Sequence, residues 1–559
     1  MKTKAEFLSL PEELHARILS LLPYRDILRC TSVCRVIRQA YMSSSELQYI
    51  VELGGQQLLP VPWTNDNTSI SKCLQLLKDK TQAWFKFDIH SFETVSIPAQ
   101  FHGAKTSLAN GHLCLWNEED DSAKIFPVLP KPSSQTIERD WSPGSLCSLP
   151  NARSADVFMD PAQNLIAIAY YVAPNEDEAH LWPDDESFFI ELGVLDGDGV
   201  HPKAAGRTLF LSELPGREEN GFLTESLKLE GMGRHIALRR SLTVDDDAIL
   251  PEEIWSLQIW DWQNSSTSSS VLSGTTVVQD PDDSMDFCFL GNDRLLIASH
   301  NLKLYSIEDM SRAPQLLACF LLPVPVAGIQ CLLPMDDIAP SSQLRMQAQQ
   351  EMWASNPENR LLSLVTFPLN LVFVISTRIF FDLALPEGME AGIHWKSWGP
   401  SNTRIFNHRS RCRVGVSGNR VLQSFPIDDT TEDSAPNSPH RLHMMDFSPS
   451  AVERRQGLGR VITEPTTIEV MSDGEKVTLT TSLPYVEVMS DRKFGVDELI
   501  EIWVDKDRIY LPKDTAYPHV FDPSINYLEV ERLENRSNDA LQGCCSSDFW
   551  RSTRNVSTN

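Results

Sequence analysis

The sequence lacks any long hydrophobic run. Nowhere in its 559 residues do about 18 apolar residues follow one another, so we predict no transmembrane helix. The first residues, MKTKAEF, lead straight into a capped helix and lack the apolar core of a cleavable signal peptide. Cysteine is also scarce: the 11 cysteines, an odd number scattered along the chain, argue against a disulfide framework and favour reduced thiols. These absences predict a cytoplasmic or nuclear protein without contact to a membrane.

Motifs that bind phosphates or metals, or that present a reactive nucleophile, are absent as well. The chain has no G-x-x-x-x-G-K-[ST] and no G-x-G-x-x-G before a helix, and H-E-x-x-H, C-x-x-C and G-x-S-x-G do not occur. Asp196-Gly197-Asp198-Gly199 resembles the start of a calcium loop but lacks the later oxygen ligands. We therefore expect no catalytic residue, no cofactor and no metal ion.

Positive charge is in short supply. The chain has 49 Lys and Arg against 76 Asp and Glu, a net charge of −27. Residues 1–42 carry a net charge of +3, so the remainder carries −30. An acidic body repels phosphate, which argues against a nucleic-acid-binding protein. The length predicts two or more structural units, and the 42% hydrophobic content is typical of globular proteins.

The most informative feature present is a group of three short amphipathic helices at residues 9–42. Ser9 and Glu12 predict an N-cap for the first helix, Pro23 ends it, and Asp26 predicts the cap of the second. Three short helices bury too little surface to be stable alone, so a surplus apolar stripe predicts a partner. Apolar residues recur at helical spacing: Leu14, Ile18, Leu21, Leu22, Ile27, Leu28, Val33, Cys34, Ile37 and Tyr41.

This stretch resembles the F-box, by which substrate receptors dock onto the Skp-family adaptor of cullin-RING ubiquitin ligases. The match covers Leu10-Pro11, Glu13-Leu14, Ile18-Leu19, Asp26-Ile27 and Val33-Cys34-Arg35. It departs at Ile37, where the family often has an aromatic residue. The resemblance implies that some of the following side chains contact the adaptor and that the others form the core of the F-box: Leu10, Pro11, Leu14, Ile18, Leu22, Val33, Cys34 and Ile37. The alternative is a helical hairpin without a partner.

We predict an F-box at residues 1–45 and a helical linker at 46–85. Ser43-Ser44-Ser45 predict the start of one linker helix, which Gly54-Gly55 ends. A second begins near Ser71 and continues toward Trp84.

From residue 86 to about 530 the pattern changes to short apolar strands that follow turn clusters, which predicts an all-β domain. The predicted strands include residues 165–170, 235–238, 295–298 and 361–365, with partner strands at 257–262 and 302–307. Ile259-Trp260-Asp261 resembles the strand ending of WD-type blades, so we predict a divergent β-propeller. A sandwich or two smaller β domains is the alternative. One helix is predicted from Gln343 to Trp353.

The C-terminal half resembles the bodies of a large fungal family of F-box proteins with divergent WD-like repeats. The resemblance rests on Trp395-Lys396-Ser397-Trp398, Met445-Asp446-Phe447, Leu483-Pro484-Tyr485 and Ile502-Trp503-Val504. Residues 531–559 have little apolar periodicity and predict a flexible tail.

Together these resemblances imply a non-catalytic substrate receptor of an SCF-type ubiquitin ligase, with the adaptor and through it a cullin as partners. One alternative is an F-box scaffold acting outside a ligase, and another is a propeller enzyme or carbohydrate binder with a fortuitous N-terminal match. Residues 172–200 contain nine acids and no Lys or Arg, so we expect a target protein with a basic segment.

Overall fold

The structure is a computed structural model. It describes residues 7–61, 69–87, 93–101, 104–128, 136–148, 152–172, 187–212, 225–244, 252–277, 285–326, 328–333, 353–367, 369–382, 392–408, 412–427, 439–454, 459–472, 474–495, 499, 501–504, 508–513 and 527–532.

The helices of the described residues are concentrated before residue 90. They are α1 (Glu12–Leu19), α2 (Tyr24–Val33), α3 (Arg35–Ser43), α4 (Ser45–Gly55), α5 (Ile70–Lys86), α6 (Trp395–Asn402) and α7 (Pro449–Arg454). Short 3-10 helices lie at Phe7–Ser9, Ala99–Phe101, Pro357–Asn359 and Thr377–Phe380. No helix among them is both long and apolar enough to span a membrane.

The starts of these helices follow two different rules. The Ser44 hydroxyl accepts the Leu47 N–H at 3.3 Å, and the Ser69 hydroxyl accepts that of Lys72 at 3.3 Å, so α4 and α5 have side-chain caps. α1 and α2 instead begin after Pro11 and Pro23, whose extended backbone leads into the helix without a side-chain cap. The predicted caps at Ser9 and Asp26 were therefore wrong.

The strands occupy most of the chain after residue 90. They are β1 (Leu58–Pro60), β2 (Glu93–Ser96), β3 (Lys105–Ala109), β4 (His112–Asn117), β5 (Ser122–Pro127), β6 (Arg139–Trp141), β7 (Ala152–Asp160), β8 (Leu165–Val172), β9 (Ser187–Val194), β10 (Thr208–Phe210), β11 (Glu225–Met232), β12 (His235–Val244), β13 (Glu252–Asp261), β14 (Val271–Val277), β15 (Asp286–Phe289), β16 (Arg294–Ala298), β17 (Asn301–Ser306), β18 (Gln315–Leu321), β19 (Gly328–Leu332), β20 (Trp353–Ser355), β21 (Leu361–Phe367), β22 (Leu371–Ser376), β23 (Thr403–Asn407), β24 (Val414–Ser417), β25 (Arg420–Pro426), β26 (His440–Asp446), β27 (Arg460–Ile462), β28 (Thr466–Ser472), β29 (Glu475–Thr481), β30 (Tyr485–Phe494), β31 (Trp503–Val504), β32 (Arg508–Lys513) and β33 (Tyr527–Arg532).

In the described part of the chain, these strands form seven antiparallel sheets of four or five strands, which we call blades 1 to 7. Blades 1 to 4 are β3–β6, β7–β10, β11–β14 and β15–β18 in chain order. Blade 5 is β19-β21-β22-β23, blade 6 is β24-β25-β26-β30-β27, and blade 7 is β31-β32-β33-β2. The first strands lie innermost, since β7 contacts β11, β15 contacts β19 and β24 contacts β31. This arrangement is a β-propeller.

Apolar packing between neighbouring blades closes the ring. Each neighbouring pair shares a buried cluster with members from both blades. Blade 7 completes the circle because β2, from before blade 1, pairs with β33 from the last described segment. Examples in order around the ring are Ile125 and Ile168, Ala167 and Ile236, Leu257 and Phe287, Leu304 and Phe373, Val372 and Met445, Leu422 and Ile509, and Tyr510 and Leu113.

Two aspartates on innermost strands add polar links between blades. Asp156 of β7 accepts the backbone N–H of Leu229 in β11 at 2.7 Å. Asp286 of β15 accepts the N–H of Cys331 in β19 at 2.7 Å and a hydrogen bond from the ammonium group of Lys228 at 2.6 Å. These carboxylates satisfy backbone donors at the contacts between innermost strands.

The predicted β-propeller is confirmed, and the alternative of separate sandwiches was wrong. The strands predicted at 165–170, 235–238, 295–298 and 361–365 lie in β8, β12, β16 and β21, the second strands of blades 2 to 5. Trp260, from the WD-like ending, is fully buried between blades 2 and 3. Among the elements that were not predicted are α6, α7 and the β28–β29 hairpin, which is inserted between β27 and β30 of blade 6.

Several predictions fall outside the described residues. The predicted helix at Gln343–Trp353 lies there except for Trp353, which is in strand β20. Residues 173–186 of the acidic stretch, the cluster at 428–433 and the tail beyond β33 also lie outside, so the flexible tail stays a prediction.

Candidate partner-binding face of the helical module

The helices α1 to α4 pack around a small core and form what we call the helical module. The buried cluster at its centre consists of Leu19, Ile27, Ile37, Leu47 and Val51. α4 contributes two of these five, so the three helices predicted as an F-box depend on the first linker helix for their core. His15 is buried in the same module, where its Nε2 lies 2.8 Å from the carbonyl oxygen of Phe7.

The apolar stripe predicted along α1 and the turn after it points to solvent rather than into this core. Leu14, Ile18 and Leu21 are 48%, 40% and 76% exposed, whereas Leu19 is 2% exposed. The helical spacing in the sequence identified the stripe correctly. It could not show whether the stripe faces solvent or the core of the module. Burial of such side chains against a partner is the ordinary reason for a face of this kind.

Exposed apolar residues are concentrated in this module. Of the sixteen large hydrophobic side chains that are exposed among the described residues, eight lie between residues 7 and 42. We call these eight the apolar face: Phe7, Leu8, Leu14, Ile18, Leu21, Val33, Val36 and Met42.

The residues predicted from the F-box pattern divide into exposed, half-buried and core side chains. Pro11, Leu14, Ile18 and Val33 are exposed and available to a partner. Ile37 is 4% exposed and belongs to the core. The remaining three are half-buried at the edge of the core: Leu10, Leu22 and Cys34.

Five members of the apolar face were not among the predicted adaptor contacts. Phe7 and Leu8 precede the first helix, so helical spacing does not reveal them. Leu21 lies in the turn after α1, which ends at Leu19, so its exposure follows from the end of the helix. Val36 and Met42 lie on α3, where Ile37 and Ala40 turn inward instead. Which side chains of α3 are exposed depends on how α3 packs against α2 and α4, and the sequence alone does not show this packing.

The helical module also exposes basic side chains. Arg17, Arg25, Arg29, Arg35 and Arg38 are all exposed. Arg29 pairs with Asp26 at 2.8 Å, an i, i+3 pair at the surface of α2. A hydrogen bond to the Tyr24 hydroxyl raises the pKa of Arg25. The module thus combines exposed apolar side chains with exposed arginines.

The module is fixed to blade 6 through α5 and the end of α4. The Asn419 side-chain amide donates to the Gln56 carbonyl oxygen at 3.1 Å. The Arg420 guanidinium lies 5.1 Å from the centre of the Trp84 ring, which is fully buried on α5. β1 pairs with β20, which adds backbone hydrogen bonds to this junction. The apolar face is therefore held in a defined direction relative to the propeller.

Charged side chains meet near the innermost strands of blades 3 and 4. Lys228 lies 2.6 Å from Asp286 and 3.4 Å from Glu230. Burial alone would lower the pKa of Lys228, but these two carboxylates outweigh it and raise that pKa. Burial raises the pKa of Glu230. No group of three or more His, Cys, Asp or Glu side chains suited to a metal ion occurs among the residues with described placement.

The calcium-like loop at 196–199 has structural contacts instead. Asp198 forms an ion pair with Arg139, and Asp196 receives a hydrogen bond from the Asn164 side-chain amide at 2.6 Å. Glu191, another acid of the 172–200 stretch, is held by Arg207 at 2.9 Å. These three carboxylates stabilise blade 2 and its neighbour.

Comparison with protein families finds a match to the F-box-like family at residues 7–46. No curated protein matches the chain. Among solved structures, the WD40 domain of SCAP from fission yeast matches 79% of this chain and 98% of its own, with 7% identity and a TM-score of 0.31. AztD of Citrobacter koseri (13% identity, 69% and 74% coverage, TM-score 0.26) and the Bombyx mori GH32 beta-fructofuranosidase BmSUC1 (9%, 82% and 98%, 0.24) are also similar. Likeness at this level carries no functional argument. The protein thus consists of an F-box-like region at residues 7–46 followed by a β-propeller.

Proposed function

We propose that this protein is the substrate receptor of an SCF-type ubiquitin ligase. The F-box-like region would bind a Skp-family adaptor, and through it a cullin, while the propeller would bind the target protein. The receptor itself is non-catalytic in this proposal. It accelerates ubiquitin transfer by holding the target near the charged carrier, so that the reaction becomes effectively intramolecular. We place it in the cytoplasm or nucleus.

The apolar face carries this proposal. A module that leaves Leu14, Ile18 and Val33 exposed while burying its own core has contact area to offer, and the family match lies at the same residues. The exposed arginines of the same module favour an acidic adaptor, because opposite potentials speed association. The fixed junction with blade 6 suits a receptor that must hold its target in one direction.

Ile18→Asp in the full chain tests the adaptor contact. Ile18 is already 40% exposed, so the substitution leaves the core of the module intact. A charge in a dry apolar interface weakens binding by several kcal/mol, and we expect a loss of about a hundredfold or more in affinity for a purified Skp-family adaptor. Leu316→Asp is the matched control, since Leu316 is 49% exposed on blade 4. Equal binding of both variants and the unchanged chain would refute the adaptor assignment.

Cullin co-purification distinguishes the proposal from its first rival, a scaffold acting outside a ligase. A receptor retains cullin together with the adaptor, and the Ile18→Asp variant loses both. Retention of adaptor without cullin would favour the scaffold. Glycan-binding and hydrolase screens of the full chain address the second rival, a propeller enzyme or carbohydrate binder.

A further inference from the structure

Two cysteines face each other where blade 4 meets blade 5. Cys288 lies on β15 and Cys331 on β19, the innermost strands of these neighbouring blades, and the two strands are in contact. Cys288 belongs to the buried cluster that joins the blades, and Cys331 packs against the same cluster. Both cysteines are free thiols, and the two thiol groups share a hydrogen bond.

Asp286 holds β19 in place against β15. Its carboxylate accepts the backbone N–H of Cys331 at 2.7 Å, and Asp286 itself is buried. Side chains alternate along a strand, so Asp286 and Cys288 point to the same side of β15, toward blade 5. Phe287 and Phe289 point to the other side, where they pack against blade 3. One side chain of β15 therefore fixes the backbone of Cys331, while the next one on the same side meets its thiol.

The two thiols differ in how easily a reagent from solvent reaches them. Cys331 is half-buried and Cys288 is buried, so a small reagent meets Cys331 first. The hydrogen bond with Cys288, followed by burial and by the charge of Asp286, raises the pKa of the Cys331 thiol, whereas the charge of Lys228 acts against this rise. Because the thiolate is the reactive form, exchange at Cys331 is slow at neutral pH and becomes faster in alkaline solution.

We propose that Cys288 and Cys331 form a reversible disulfide between blades 4 and 5 in the presence of a small-molecule disulfide such as oxidised glutathione. The Cys331 thiolate attacks a sulfur of the oxidant and releases one thiol, and the Cys288 thiolate then displaces the second thiol from the mixed disulfide. The two cysteines lose two protons and two electrons, which the oxidant takes up as it becomes two thiols. A bridge needs side chains that point at each other, and the shared hydrogen bond shows this arrangement.

The bond closes a loop over residues 289–330 and links two innermost strands of the ring. A disulfide stabilises a protein chiefly by restricting its unfolded chain, so the oxidised protein unfolds at a higher urea concentration than the reduced one. The proposal does not depend on the adaptor assignment, since neither cysteine belongs to the apolar face.

Equilibration of the full chain in glutathione buffers tests the disulfide. The folded protein is kept at several ratios of oxidised to reduced glutathione, at about pH 7 and about pH 9, and is then alkylated and digested without reduction for mass spectrometry. We expect a cross-linked peptide pair that contains Cys288 and Cys331, forms faster at the higher pH and disappears in reduced glutathione. Its formation should raise the urea midpoint measured by circular dichroism.

A pair of serine variants separates this bond from general thiol oxidation. Cys331→Ser should abolish both the cross-link and the rise in the urea midpoint. Cys319→Ser is the matched control, because Cys319 is another half-buried free thiol and lies on β18 of blade 4. This variant should form the cross-link and gain stability like the unchanged chain.

Two results would overturn the proposal. One is the absence of the Cys288–Cys331 peptide after equilibration at the higher pH, while circular dichroism shows that the unchanged chain is folded. The other is a cross-link that forms in urea and not in the folded protein. Both results come from the unchanged chain, so they do not depend on how well the serine variants fold.

Discussion

Ile18 and Ile37 carry the same side chain in the same module but have opposite environments. Ile18 is 40% exposed on the apolar face, whereas Ile37 is 4% exposed in the core. We expect Ile37→Ala to lower the free energy of unfolding of the module by about 2–4 kcal/mol, because it leaves a cavity. Ile18→Ala should change it by less than about 0.5 kcal/mol and should instead weaken adaptor binding. Urea unfolding monitored by circular dichroism, together with adaptor titrations, measures both effects.

The Ile18→Ala and Ile37→Ala variants together distinguish a core residue from a residue that contacts the adaptor. A loss of stability in Ile18→Ala as large as that in Ile37→Ala would mean that Ile18 is part of the core. Unchanged adaptor affinity in Ile18→Ala would remove it from the contact set.

Glu487 makes the stability of blade 6 depend on pH. Its carboxylate contacts the His443 Nδ1 at 2.9 Å and the Arg460 guanidinium at 2.8 Å. The His443 hydrogen bond, followed by the charges of His443 and Arg460, lowers the pKa of Glu487 below its ordinary 4.5. A lowered carboxyl pKa contributes stability above pH 4.5, and that stability is lost as the pH falls through the lower folded value.

We therefore expect Glu487→Gln to unfold at lower urea concentration than the unchanged chain at pH 7. The difference should shrink as the pH falls below about 4.5, because the carboxyl group of the unchanged chain then becomes protonated. Glu475→Gln, on an exposed residue of the β28–β29 hairpin, is the control and should show no such trend. A difference that stays constant from about pH 7 to about pH 3 would contradict this account.

Among the secondary-structure elements, β2 decides whether the ring closes. It is the outermost strand of blade 7 and pairs Val95 with Leu528 and Ser96 with Tyr527 of β33. Consecutive N–H groups of a strand point to opposite edges, so one of two adjacent residues donates to β33. Replacing both Val95 and Ser96 by Pro must therefore remove at least one hydrogen bond of this pairing and disturb the strand.

We expect the Val95→Pro/Ser96→Pro variant to lose several degrees of Tm and to become sensitive to limited proteolysis near blade 7. The Val95→Ala/Ser96→Ala variant keeps the backbone donors and should lose less. Equal stability of the two variants would show that closure depends on side-chain packing and not on the β2–β33 hydrogen bonds.

The elements that the sequence predicted correctly are those with local signals. β12 follows a turn at Gly233, whose φ of +57° suits glycine, and β8 follows Asn164, whose φ is +60°. An apolar run directly after such a turn predicts a buried strand. The pairing of β2 with β33 joins Glu93–Ser96 to Tyr527–Arg532, segments from opposite ends of the propeller sequence, so no local pattern indicates it.

The apolar face likewise has one part that local sequence patterns predict and another that depends on tertiary packing. Helical spacing predicted Leu14 and Ile18, and the F-box resemblance added Val33. Which side of each helix is free depends on α4, whose Leu47 and Val51 complete the core and leave α1 exposed. That information comes from tertiary packing and is absent from any single helix pattern.

For the whole molecule, the uneven distribution of charge is the property with the widest consequences. The helical module exposes five arginines, while the chain as a whole has a net charge of −27. A positive N-terminal end and an acidic body are suited to partners of opposite charge at the two ends. Three acids of the 172–200 stretch are already engaged within the protein, because Glu191, Asp196 and Asp198 bind neighbouring groups. They are therefore poorer candidates for attracting a basic target than the other six.

The remaining six acids of that stretch lie outside the described residues and include Asp184, Asp185 and Glu186. If they gather on one face of the propeller, they attract a target with a basic segment, and the association rate should fall as salt rises over the range of about 0.05–0.5 M. Neutralising Asp184, Asp185 and Glu186 together should lower the association rate for an identified target and flatten its salt dependence. Neutralising the structurally bound Asp196 and Asp198 should affect stability more than the association rate. If the triple variant binds its target with unchanged rate and unchanged salt dependence, these acids serve only solubility, and the adaptor assignment is unaffected.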